Sequence, residues 1–204
     1  TEIALRGFSV LMFLVFLIVI NKFALVLVRS KKFATFATLV SAFNPMLLYF
    51  AFELRMYSLL TLLATLSMYF FYQKRWIAYI VATVLGLYTQ PFMALVVIAQ
   101  MTYLLIQRDW HRILVNSLAL FALYLPWLPT LLRQFKNSGP MWMYPINTQL
   151  VTSVLGNLFA GYEGTPGNLW MHMQVLSALI IGVSVWLWRF KALRQKLLLL
   201  YTWV

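Results

Sequence analysis

Residues 44–57 read NPMLLYFAFELRMY and place two charges inside one of the most apolar parts of the chain. Pro45 interrupts a helical pattern there, and Glu53 is one of only four acidic residues in the protein. A charge at the centre of a bilayer costs roughly 2.5–3.5 kcal/mol on insertion scales. We therefore expect Glu53 and Arg55 either at a water interface, marking a helix end, or along a polar cavity.

The composition of the chain indicates a polytopic membrane protein. Hydrophobic residues make up 63% of the sequence and charged residues 10%, whereas a soluble domain carries about 25% charged residues. The net charge of +12 does not favour a nucleic-acid partner, because the basic residues form small clusters between apolar runs. The chain has no Cys, and His111 and His172 are too far apart for a zinc site evident from sequence.

The apolar runs predict an all-α transmembrane helix bundle of about seven spans, with an eighth begun at residues 197–204. Residues 1–132 form the core of this bundle, residues 133–173 an extracytoplasmic loop and residues 174–204 the C-terminal spans. Because the chain begins with Thr1 and ends in an unfinished apolar run, we interpret it as an internal piece of a longer protein. The predicted spans are 7–22 (extending toward 28), 33–52, 56–72, 76–88, 91–106, 113–132 and 174–188.

Basic residues set the predicted orientation, since cytoplasmic loops are enriched in Lys and Arg. Eleven of the sixteen Lys and Arg fall in the connections at residues 29–32, 74–75, 108–112 and 189–196. We assign these short connections to the cytoplasm and interpret them as topology anchors. The opposite side, extracytoplasmic at the cell (plasma) membrane, then carries Glu53, Arg55 and the only large loop.

Two of the candidate residues are Glu53 and Arg55, which cannot face each other on a helix because they are two positions apart. If the helix ends near them, both reach one aqueous cavity. If it continues, Tyr49, Glu53 and Tyr57 share a face. Arg forks onto phosphate oxygens and a carboxylate accepts from hydroxyls, so this pair suits a substrate with both groups.

Other polar residues on the same side have two interpretations each. Glu2 and Arg6 are spaced i,i+4, which is compatible with a helix-surface ion pair or with a second polar pair at the mouth of the cavity. Gln90 beside Pro91 either caps a tight connection or contributes to the site. Nothing in the sequence forms an obvious metal site, so no metal or cofactor is expected, although the sequence leaves a divalent ion open.

Four motifs, in order, resemble the polytopic glycosyltransferases of the GT-C superfamily, which include protein O-mannosyltransferase-like enzymes and bacterial aminoarabinose transferases. They cover about residues 2–132 and are EIALRGFSVL at 2–11, the segment from 44 to 59, LGLYTQPF at 85–92 and YLPWLP at 124–129. The resemblance implies transfer of a sugar, with inversion, from a polyprenyl-phosphate carrier to an acceptor hydroxyl on the outer face. The acceptor is a protein, a lipid or a glycan, and membrane lipids surround the chain.

The resemblance also implies roles for individual residues. Arg6 and Arg55 are candidates for the donor phosphate, and Glu53 supports the catalytic centre. The general-base Asp of the family lies in an outer loop that is absent from this chain, so the fragment is not expected to catalyse alone. The family's frequent His is Gln90 here. Candidates for the sugar or acceptor are Glu2, Tyr49, Tyr57 and Gln90.

Two further functions stay open from the sequence. A lipid-linked saccharide transporter or flippase would carry polar groups deep in several spans. A non-catalytic membrane assembly subunit would suit a chain without the Asp.

Overall fold

The described parts of the chain are entirely helical. A computed structural model describes residues 2–137, 147–161 and 169–189, with only the backbone for residues 2–5, 135, 187 and 188. No strand occurs in these ranges, so the predicted all-α class is confirmed. The helices are α1 (Glu2–Val28), α2 (Lys31–Ala42), α3 (Pro45–Phe52), α4 (Tyr57–Tyr72), α5 (Trp76–Thr89), α6 (Met93–Ile106), α7 (Trp110–Tyr124), α8 (Leu128–Asn137), α9 (Thr148–Ala160) and α10 (Trp170–Trp188), with a 3₁₀ turn at Leu125–Trp127.

The helix boundaries agree with the predicted spans in the middle of the chain and differ near its end. Helices α4, α5 and α6 begin and end within two residues of the prediction. Helix α9, in contrast, lies inside residues 133–173, which were predicted as a loop. Helix α10 begins at Trp170, four residues earlier than expected.

Membrane character is supported by helix length and apolarity. Among the described residues, two segments are long and apolar enough to cross a bilayer, Arg6–Val28 and Trp110–Gln134. Helices α2 and α3 together would make a third span, with a bend of 58° between them. Helices α4, α5 and α6 are apolar but reach only about 21–24 Å, against a hydrocarbon core of about 30 Å. Seven crossings are therefore not confirmed and stay a prediction.

The described residues form two compact units, of which the first contains residues 2–58, 147–161 and 169–189. In this unit α1 packs against α2 and α3, α3 packs against α9, and α9 runs along α10. A Cβ at Gly156 would collide with the carbonyl oxygen of Met173. The amide of Gly156 also donates to Ser177 Oγ at 2.7 Å. Only glycine fits at this contact between α9 and α10.

The second unit contains residues 59–137 and is joined internally by polar side chains. Ser67 in α4, Thr83 in α5 and Gln100 in α6 are fully buried. Gln100 Nε2 donates to Ser67 Oγ at 2.9 Å, and Ser67 Oγ lies 2.7 Å from Thr83 Oγ1. We call these three residues the buried polar cluster. Hydrogen bonds of this kind hold helices together where apolar contact alone is not selective.

Three of the connections predicted to be cytoplasmic contain a basic residue in the left-handed region. Arg29, Lys74 and Arg108 have φ values of 57°, 58° and 57°. At the end of α4, the amide of Lys74 donates to Phe71 and the next amide donates to Phe70, which is a Schellman ending. A non-glycine residue in this region costs roughly 1–2 kcal/mol. A cation at a helix C-terminus offsets part of that cost.

Candidate functional site

Residues 53–56 form the turn between α3 and α4 and contain both charges of the predicted site. Helix α3 ends at Phe52, and Glu53 follows in an extended conformation with φ −88° and ψ 147°. Arg55 Nε lies 3.3 Å from Glu53 Oε1, a contact that a continuous helix would not allow. The structure thus has the helix end that was one of the two alternatives. The shared helical face of Tyr49, Glu53 and Tyr57 does not arise, because the helix stops before Glu53.

The N-terminus of α3 is anchored to α9 through Asn44. Asn44 Oδ1 accepts a hydrogen bond from the amide of Leu47 at 2.9 Å and so caps the helix. Asn44 Nδ2 donates to the carbonyls of Leu158 and Phe159 at 3.0 and 3.1 Å. Pro45 follows at the first helical position, where a missing N–H is tolerated. One asparagine therefore both starts α3 and attaches it to a distant helix.

The C-terminus of α3 is closed by donors from outside the helix. The last carbonyls of a helix have no intrahelical donor. Arg6 Nη1 donates to the Phe52 carbonyl at 3.3 Å, and Ser58 Oγ donates to the Phe50 carbonyl at 2.9 Å. The ring of Tyr57 lies 4.4 Å from that of Phe50, centroid to centroid. The end of α3 is therefore held by Arg6 from α1 and by Tyr57 and Ser58 from the start of α4.

A groove of about 520 Å³ opens beside the turn. One wall of the groove is largely apolar and is formed by Pro45, Leu48, Tyr49 and Phe52. Arg6 and Glu53 add two opposite charges to the lining. Within the described part of the chain, Glu53 Oε2 is buried and accepts no hydrogen bond. The Arg55 side chain is 46% exposed, against 24% for Glu53, and its guanidinium carbon lies 6.0 Å from the centre of the Tyr57 ring.

The groove and the turn bring together most of the residues predicted for the site. Arg6, Tyr49, Glu53, Arg55 and Tyr57 all belong to the first unit, and each lies in the turn, at its borders or along the groove. Two arginines and one carboxylate leave a net charge of +1 there. This arrangement can bind an anion at the arginines and a hydroxyl donor at the unpaired carboxylate oxygen, with apolar surface alongside.

Two predicted residues are not part of this arrangement as described. The side chain of Glu2 lies outside the described residues, although its backbone opens α1. Gln90 belongs to the second unit, where its backbone N–H donates to the Gly86 carbonyl at the end of α5. This is a bond of the backbone amide, which does not involve the Gln90 side chain, so both interpretations of Gln90 stay predictions.

Sequence reasoning missed two polar features of the second unit. The first is the buried polar cluster, whose signal is a neutral polar residue in each of three consecutive apolar helices. The second is a cavity lined by Lys74, Asp109 and Arg112 at the connections interpreted as topology anchors. Its signal is Asp109, the only aspartate of the chain.

Comparison of the chain with protein-family models, with curated proteins and with solved structures finds no match. The resemblance to GT-C glycosyltransferases therefore rests on the four motifs, and any functional argument must start from the geometry of the turn and its groove.

Proposed function

We propose that the chain is part of a plasma-membrane glycosyltransferase that moves a sugar from a polyprenyl-phosphate donor to an acceptor hydroxyl on the extracytoplasmic face. The observation that carries the proposal is Glu53 Oε2, a buried carboxylate oxygen without a donor among the described residues, beside two arginines and an apolar groove. A buried acceptor without a partner is expensive. A hydroxyl of the sugar or of the acceptor would supply the missing hydrogen bond.

The donor's chemistry fits the apolar wall of the groove and the two arginines beside it. Its prenyl chain would lie along Pro45, Leu48 and Phe52, and its phosphate would meet Arg6 and Arg55. A guanidinium offers five N–H donors in a fork that matches phosphate oxygens.

In the proposed reaction, the acceptor oxygen bonds to the anomeric carbon while the bond from that carbon to the phosphate oxygen breaks. The acceptor proton goes to a general base, which the family resemblance assigns to an Asp outside these 204 residues. Negative charge develops on the departing polyprenyl phosphate, and preorganised cations stabilise such charge strongly. Glu53 orients Arg55 and accepts from a hydroxyl, so it supports the centre without taking the proton.

The experiment uses the protein from its complete reading frame, reconstituted with a polyprenyl-phosphate sugar labelled in the sugar. Release of polyprenyl phosphate is followed as loss of the sugar label from the lipid carrier, with and without an acceptor fraction. We expect acceptor-dependent release, and we expect release to fall about 100-fold in Glu53→Gln. Absence of release in the unmodified protein, at every acceptor tested, would overturn the proposal.

A transporter of lipid-linked saccharides is the second candidate, because polar side chains do lie deep in the second unit. Asn116 in α7 is fully buried like the buried polar cluster, and its amide atoms have no hydrogen-bond partner among the described residues. The same vesicles discriminate the two functions. A transporter moves the label across the membrane with the sugar still attached to its carrier, whereas a transferase breaks that bond. If neither occurs, a non-catalytic assembly role is left.

A further inference from the structure

A cavity of about 650 Å³ lies where α4 turns into α5 and α6 turns into α7. It belongs entirely to the second unit and has no residue in common with the groove beside α3. Its lining carries three charges among aromatic and amide side chains. The residues that matter for the argument are Lys74, Trp76, Tyr103, Gln107, Asp109 and Arg112.

Two tight helix endings position the charges of this cavity. Lys74 and Arg108 each adopt the left-handed conformation that ends α4 and α6. Asp109 follows directly as the N-cap of α7, and its Oδ1 accepts from the amide of Arg112 at 3.1 Å. These two helix endings therefore set the backbone positions from which the side chains of Lys74 and Asp109 reach the lining of the cavity.

The charged groups surround the cavity and are not paired with one another. Within the described residues, Lys74, Asp109 and Arg112 form no ion pair and their charged ends share no hydrogen bond. The guanidinium carbon of Arg112 lies 4.6 Å from the centre of the Trp76 ring, a cation–π contact that holds it in place. Asp109 and Arg112 are half-buried and Lys74 is exposed. Charged side chains that have no ion-pair partner favour a ligand that brings complementary charges.

The surface beside the cavity is apolar, which indicates an amphiphilic ligand. Ile77 is 83% exposed and Trp110 is 64% exposed, and Ile106 is also exposed. These residues lie at the first or last turns of α5, α7 and α6, next to the lining residues in sequence. Exposed aromatic and aliphatic side chains at the ends of apolar helices are typical of a membrane interface.

We propose that this cavity binds the headgroup of a phospholipid that carries both a phosphate and a primary ammonium, as phosphatidylethanolamine does. Lys74 and Arg112 take the phosphate, Asp109 takes the ammonium, and Gln107 is within the same lining. The acyl chains lie against Ile77, Ile106 and Trp110. Two cations and one carboxylate match this headgroup better than a purely anionic one, because a headgroup without an ammonium leaves the Asp109 carboxylate without an opposite charge.

The test uses the full chain in detergent micelles and native mass spectrometry with added lipids of identical acyl chains. Phosphatidylethanolamine is compared with phosphatidylglycerol, with phosphatidylcholine, and with soluble glycerophosphoethanolamine. We expect phosphatidylethanolamine to bind about tenfold tighter than phosphatidylglycerol. We expect no measurable binding of the soluble headgroup, because it lacks the chains.

Asp109→Asn separates headgroup recognition from folding, since asparagine caps a helix as well as aspartate does. In this variant the preference for phosphatidylethanolamine should disappear while phosphatidylglycerol binds at least as tightly as before. Lys74→Asn, which is tolerated in the left-handed region, should weaken both lipids about tenfold. The matched control is Arg75→Gln. It removes one positive charge from the neighbouring residue, whose side chain is outside the lining of the cavity.

Three results would overturn the proposal. The first is phosphatidylglycerol binding as tightly as phosphatidylethanolamine to the unmodified chain. The second is the soluble headgroup binding as tightly as the lipid, which would assign the cavity to a free phosphoamine. The third is Lys74→Asn having no larger effect than Arg75→Gln. None of these results bears on sugar transfer, so the proposal stands or falls separately from the proposed function.

Discussion

The turn at residues 53–56 and the buried polar cluster use polar side chains for opposite purposes. The turn keeps Glu53 and Arg55 partly exposed beside a groove, with one carboxylate oxygen that has no donor among the described residues. The cluster hides Ser67, Thr83 and Gln100 completely and bonds them to one another. The turn leaves a carboxylate oxygen that can accept from a ligand. The cluster uses its two hydroxyls and the Gln100 amide nitrogen within the protein, although Gln100 Oε1 also has no donor among the described residues. Changes in the turn should therefore alter chemistry, and changes in the cluster should alter stability.

Arg55→Ala gives the largest expected effect and tests the chemical side of this comparison. Sugar transfer by the protein from its complete reading frame should fall about 100- to 1,000-fold, since one preorganised donor is lost. The free energy of unfolding should change by less than about 0.5 kcal/mol, because a half-exposed ion pair contributes little. Turnover assays and detergent-unfolding titrations measure the two quantities. Arg133→Ala, an exposed arginine in α8, is the control. Unchanged turnover in Arg55→Ala would remove Arg55 from the site.

Gly156→Ala tests whether the scaffold that carries the turn depends on the contact between α9 and α10. The new Cβ would meet a backbone oxygen, Met173 O, which cannot move out of the way as a side chain can. We expect a loss of about 3 kcal/mol in the free energy of unfolding. Gly182→Ala in α10 is the matched control, because nothing lies within 4 Å of its Cβ position. The control should gain up to about 1 kcal/mol from helix propensity.

Asn44→Ala should affect both stability and chemistry, because Asn44 stabilises α3 and also positions the turn that follows it. The variant loses a helix cap and two hydrogen bonds to α9, for a total of about 2 kcal/mol. Asn147→Ala removes a cap of the same kind, with Leu150 as its partner, and Asn147 has no side-chain bond to another helix among the described residues. It should lose only about 1 kcal/mol. Equal losses in the two variants would mean that the attachment of α3 to α9 contributes nothing.

Ser67→Ala has the smallest expected effect and tests the structural side. It removes the hydroxyl that joins Gln100 and Thr83, and comparable bonds between membrane helices contribute about 0.6–1.7 kcal/mol. Sugar transfer at saturating donor should not change. Ser117→Ala is the control, since that exposed hydroxyl contacts only the sulfur of Met101, at 3.6 Å. A loss of transfer in Ser67→Ala at unchanged stability would give the cluster a chemical role.

The charged turn could be predicted from sequence, and the buried cluster could not, for one physical reason. A charge in an apolar run is costly enough to demand an explanation, whereas single Ser, Thr or Gln residues are inexpensive in a helix. Tertiary contacts were also invisible to sequence reasoning. Nothing in the sequence predicts that Arg6 donates to the Phe52 carbonyl or that Asn44 reaches α9. The sequence predicts a loop over α9 because its neighbours are rich in Gly, Pro and polar residues.

The left-handed endings at Arg29, Lys74 and Arg108 have a consequence for the order of folding. Each joins two consecutive helices through two or three residues, so the helix ends stay within about 10 Å of each other once both have formed. Loop closure over so short a segment loses little chain entropy. Helix pairs α1–α2, α4–α5 and α6–α7 can therefore associate as hairpins in the order of synthesis. The attachment of α3 to α9, across more than a hundred residues, must wait until the chain beyond Phe159 has been made.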